Sequence, residues 1–141
     1  MTIMTYGFML CVYRDGTRIP AMKVMPDKYR PLAELGMHRL SVASNVEAEV
    51  ARLVAVVAGD GDAYELSTYD WCIVDVGPEV SVVRNGFDEF EPFEMPTAEI
   101  LKLLRDWADF LRAYERGEIP GITYQRPPGS GGAGPEARGS A

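Results

Sequence analysis

The sequence predicts an α+β fold, and three observations carry that prediction. Two stretches repeat apolar residues at helical intervals, several short apolar runs have strand-like character, and tight-turn dipeptides separate the runs. With 141 residues, 47% of them hydrophobic, the chain has material for one core. A single domain is expected over residues 1–125, a mainly antiparallel sheet packed with two principal helices at about 45–58 and 97–116. Residues 126–141 are rich in Gly and Pro, lack an apolar anchor, and are expected to form a disordered tail.

Tyr6 to Tyr13 is a continuous apolar run and reads as a central strand. Asp15-Gly16 favours a tight hairpin turn, with Ile19, Met22 and Val24 on the returning strand. Pro20 cannot donate to a ladder and places that strand at an edge. Between Pro26 and Leu40 the breakers Pro26, Pro31 and Gly36 predict a loop with one short helical turn near Pro31 to Leu35. Ser44 and Glu47 have capping-box spacing, and Val46, Val50, Leu53, Val54 and Val57 follow at helical intervals until Gly59. The alanines at 48, 51, 55 and 58 keep this helix slim for close packing.

Tyr64 to Tyr69 reads as a short strand and Trp71 to Val76 as a stronger one, with Cys72, Val74 and Val76 on its apolar face and Trp71, Ile73 and Asp75 on the other. Gly77-Pro78-Glu79 supplies a turn into the partner strand Val80 to Arg84, and Asn85-Gly86 predicts another tight turn. Thr97 is placed as the N-cap of the second helix, in which Ile100, Leu104, Trp107, Ala108, Leu111 and Tyr114 share a face that Leu103 and Phe110 widen. Trp107 is expected in the core. Lys102 with Asp106 and Arg105 with Asp109 have the spacing of ion pairs on a solvated face. Gly117 ends the helix.

Charge is uneven along the chain. Residues 1–44 carry six Lys/Arg against three Asp/Glu, whereas residues 45–117 carry six against sixteen. So acidic a region repels phosphate backbones and anionic lipid, which argues against direct nucleic-acid or membrane binding and permits a basic protein partner. No basic region precedes the apolar run at Phe8, and that run is too short for a bilayer, so a soluble cytoplasmic protein is expected. Cys11 and Cys72 sit in separate apolar runs and read as buried thiols. One histidine, His38, cannot build a multi-histidine metal site, and no cofactor motif is present. Gly59-Asp60-Gly61-Asp62 closes a helix instead of opening one and is read as an exit turn.

Two features carry chemistry. Asp75 alternates onto the face of Trp71 and Ile73, where burial would raise its pKa; otherwise it is a solvated strand residue. The segment Phe87 to Glu94 sets aromatics among acids without a single base, and Asp88, Glu89, Phe90, Glu91, Phe93 and Glu94 are the candidate partner-binding residues. In one reading the aromatics supply desolvated contact and the carboxylates steer a basic groove. In the other the segment is an irregular edge strand, Phe inward and acids in water.

The order of a Trp-led hairpin, Trp71-Cys72-Ile73-Val74-Asp75-Val76 and Val80 to Asn85-Gly86, followed by Met95-Pro96-Thr97 and a Leu/Trp/Phe-rich helix, resembles small acidic immunity proteins of bacterial polymorphic toxin and contact-dependent inhibition systems. The resemblance spans Trp71 to Gly117. It implies a cytoplasmic, non-enzymatic protein that binds and blocks a cognate toxin, often a nuclease. Two other functions stay open: a small carboxylate-dependent enzyme using residues such as Asp75, and an assembly subunit forming a homo-oligomer through the Trp71 and Ile73 face.

Overall fold

The described residues form a single α+β domain of two sheets, two long helices and a short-helical connection between the sheets. In this computed structural model, residues 3–119 and the strand Thr123–Tyr124 are described. The expected tail, 126–141, lies outside the described residues.

Strand β1 (Thr5–Val12) pairs antiparallel with β2 (Arg18–Met25) through the Asp15-Gly16 turn, where Gly16 takes a φ of 87° and Asp15 Oδ1 accepts from the Thr17 amide at 2.8 Å. Residues 27–36 and 38–41 form two 3₁₀ segments, more helix than the proline-broken sequence predicts. Their Leu32, Leu35 and Leu40 are fully buried, so tertiary packing supplies what local propensity lacks.

Helix α1 (Ala43–Val57) precedes a four-stranded antiparallel meander: β3 (Tyr64–Tyr69), β4 (Cys72–Val76), β5 (Val80–Arg84) and β6 (Phe93–Pro96). Helix α2 (Thr97–Glu115) follows, and β7 (Thr123–Tyr124) returns parallel to β1, giving the first sheet the order β2-β1-β7. Pro20 does lie on an edge strand. The parallel pairing of β7 was not foreseen, because two residues carry no periodicity.

One core joins all of this. Leu66, Cys72, Val74, Val76, Val83 and Met95 of the meander meet Val46, Leu53 and Val56 of α1 and Ile100, Leu103, Leu104, Trp107 and Leu111 of α2. Trp107 is fully buried, and its Nε1 donates to the Leu40 carbonyl at 2.7 Å. Phe8 of β1 and Phe110 lie 5.3 and 5.8 Å from its ring. Gly36 lets the 3₁₀ segment approach this ring, since an added Cβ would stand 3.0 Å from Trp107 Cζ2 and 2.9 Å from Met22 Cε.

Neither expected helix cap is made. Ser44 does not cap α1; the Ala43 amide instead donates to Glu115 Oε2 of α2 at 2.9 Å, while Glu47 pairs with Arg112. Thr97 is inside α2 and buried; its hydroxyl donates to the Gly77 carbonyl at 2.6 Å and accepts from Ser81 Oγ at 2.6 Å. The polar spacing on α2 is also used differently: Asp106 accepts from the Tyr6 hydroxyl at 2.5 Å and the Lys102 ammonium sits 5.4 Å from the Tyr6 ring centre. Glu49, buried on α1, accepts from Arg39 at 2.8 Å and from the Tyr64 hydroxyl at 2.5 Å. Desolvation, then the bond to Glu49, pushes the Tyr64 hydroxyl above its ordinary pKa. No helix among the described residues is long and apolar enough to cross a membrane.

Candidate functional site

The connection from β5 to β6 begins at a buried asparagine. Val83 pairs with Phe93, so residues 85–92 form a broad loop instead of the expected tight turn at Asn85-Gly86. The reason is that Asn85 is buried and its side chain is spent on tertiary bonds. Its Nδ2 donates to the Trp71 carbonyl at 2.8 Å, and its Oδ1 accepts from the amides of Phe87 at 2.7 Å and Glu89 at 3.1 Å. The Gly86 amide donates to the Asp70 carbonyl at 2.7 Å, and a Cβ there would lie 3.0 Å from Asp70 Cβ. Glycine is required by close approach, not by backbone sign. Asp88 carries the positive φ, 56°, tolerable for an Asx residue.

These bonds stitch the loop to the β3–β4 turn and leave two large rings outside. Trp71 is 40% and Phe87 60% exposed. Asp70, Asp88, Glu89 and Glu91 are exposed around them. The loop is thus an ordered display of apolar and anionic groups, the amides of residues 86–89 satisfied internally.

The structure divides the candidate segment. Phe90 and Phe93 are half-buried against the core, 6.3 Å apart, and Phe93 meets Tyr29 edge-on at 5.6 Å. Glu94 stands opposite Val82 on the outer face of the meander, in the same cross-strand row as Asp75 and Glu65. Asp88, Glu89 and Glu91 stay together on the loop. Sequence reading named Asp88, Glu89 and Glu91 but not Asp70, Phe87 or Asn85, and it assigned Trp71 to a sheet face. The only signal for Asn85 was the Asn-Gly dipeptide, which has a simpler use in turns.

Asp75 is not buried. Its carboxylate receives Arg84 Nε at 2.7 Å, and Arg84 also reaches Glu65 at 2.8 Å, which makes an exposed ion-paired row. Ile73, its neighbour on that face, is buried at 5% exposure, so the apolar surface offered there is smaller than Trp71 and Ile73 together would make.

Beside the loop lies a cleft of about 430 Å³ between the first 3₁₀ segment and the β3–β4 turn, lined by Asp27, Arg30, Pro31, Glu34, Trp71, Glu89 and Phe90. Its walls are two aromatic rings and a proline; its charges are three carboxylates and one guanidinium. No group of three or more His, Cys, Asp or Glu is arranged to hold a metal among the described residues. Cys72 is buried, and desolvation pushes its thiol up to about 12, so it is no nucleophile at neutral pH. No protein-family model matches the chain, and no curated protein or solved structure is significantly similar to it.

Proposed function

We propose that the protein is a cytoplasmic, non-enzymatic inhibitor of the immunity type, which neutralises a basic, nuclease-like toxin by covering its active groove. The observation that supports this best is the loop held by Asn85, where Trp71 and Phe87 stand in solvent among Asp70, Asp88, Glu89 and Glu91. Large rings kept out of a core that has room for Trp107 and Phe93 are costly to hydrate, and such rings are the usual anchors of protein interfaces. The acids around them would speed encounter with a basic groove and discriminate against acidic partners. Because the amides of residues 86–89 are already bonded, little ordering entropy is lost there on docking.

The test is genetic and biochemical. The gene beside this one is expressed alone and with the chain; growth arrest is expected from the neighbour alone, with rescue by the wild type. The double variant Trp71→Ala, Phe87→Ala should fold and fail to rescue, with binding weakened by more than about 2 kcal/mol. A neighbour that is harmless, or rescue undiminished in the double variant, would sink the reading.

A further inference from the structure

We propose that the cleft between Trp71 and Phe90 is the seat for an arginine side chain of the partner. This rests on the protein-binding reading above and adds the chemistry of its central contact. Trp71 and Phe90 supply ring surface, and Asp27, Glu34 and Glu89 supply carboxylates from two elements that converge on the same space. Arg30 offsets one of these three charges, and the cleft stays net negative. Its volume, about 430 Å³, leaves ample room for one long side chain between the two rings.

Guanidinium suits this lining better than ammonium. It is planar, stacks on aromatic faces, is weakly hydrated, and presents a fork of donors to carboxylates on either side. The rings on this side of the molecule already attract a cation within the chain: the Lys28 ammonium lies 5.4 Å from the centre of Tyr29 and 5.6 Å from that of Phe93. Lys28 takes Tyr29 and Phe93, the latter 6.3 Å from Phe90, while the Trp71 ring is 40% exposed.

The two tryptophans make the test direct, because Trp107 is fully buried and Trp71 is exposed. The full chain, labelled with ¹⁵N, is titrated with a short arginine-rich peptide and with the same peptide carrying citrulline, a neutral isostere. The Trp71 indole signal should shift saturably with the arginine peptide and stay in place with citrulline, and the Trp107 signal should not move. The variant Asp27→Asn, Glu89→Gln changes only exposed residues and should weaken binding at least about five-fold at low salt, with its melting temperature retained. Equal shifts with citrulline, an unmoved Trp71 signal, or unchanged affinity in the variant each overturn the assignment. Failure of the inhibitor reading looks different: the arginine peptide still moves Trp71, but the neighbouring gene product is not blocked.

Discussion

Asn85 and Trp107 show how single side chains do separate jobs in this molecule. Trp107 fills the centre of the core and satisfies the Leu40 carbonyl, so Trp107→Ala should cost about 3–5 kcal/mol in urea unfolding. Trp107→Phe, which keeps most of the packing and removes the donor, should cost roughly 1–3 kcal/mol. A wild-type midpoint for the alanine variant would refute its core role. Asn85 is different: its three bonds shape the loop that follows β5. Asn85→Ala leaves the Trp71 carbonyl and two amides to find water, so the main expected effect is local. Amide exchange at residues 86–89 should accelerate far more than in α2, and equal acceleration in both would show that the loop is not an independently held unit.

At the scale of elements, the helices are tied by charge contacts from one to the other instead of by local caps. Glu115 of α2 accepts from the first amide of α1, and Arg112 pairs with Glu47, so the N-terminal end of α1 is completed by α2. Ser44→Ala should therefore be nearly neutral, whereas Glu115→Ala should cost about 0.5–2 kcal/mol, the range for loss of a cap. The reverse order in thermal unfolding would restore the local capping box. Thr97 makes the same point for the meander: its hydroxyl joins the β4–β5 turn and β5 to the start of α2. Thr97→Val orphans the Ser81 hydroxyl in the interior and should destabilise by about 1–3 kcal/mol, measured by urea midpoint.

For the whole molecule, burial of titratable groups predicts alkaline lability. The Cys72 thiol is raised from 9.0 to about 12 by desolvation first and by the Glu34 charge second. Below the ordinary thiol pKa both folded and unfolded chains hold the proton, and the stability is fully present. As pH rises past 9.0 the unfolded chain loses it while the folded one keeps it, so stability falls by about 1.4 kcal/mol per pH unit until the folded thiol titrates. The Tyr6 and Tyr64 hydroxyls, also pushed up by desolvation and by carboxylate neighbours, add to this loss at higher pH. Cys72→Ala should be less stable at neutral pH, because it leaves a cavity, yet lose less on going to alkali. Parallel stability curves for the two proteins would refute the linkage.

Periodicity by itself determined the two long helices, the strands of the first hairpin, β3 to β5 of the meander and the burial of Trp107. Each of these follows from the spacing of apolar residues along one element and needs no knowledge of neighbours. The same holds for the acidity of the 87–94 segment, a property of composition. What only the tertiary structure decided is where polar side chains spend their bonds. Ser44, Thr97, Lys102 and Asp106 have sequence spacings that suit local partners, but Glu115, Gly77, Ser81 and Tyr6 are brought close by packing and win. The exposure of Trp71 and Phe87 beside the inward turn of Phe90 and Phe93 was equally hidden. An aromatic ring has the same local signature whether it faces core or water, and the choice was made here by Asn85, which ties its own loop amides to the Trp71 carbonyl fourteen positions away.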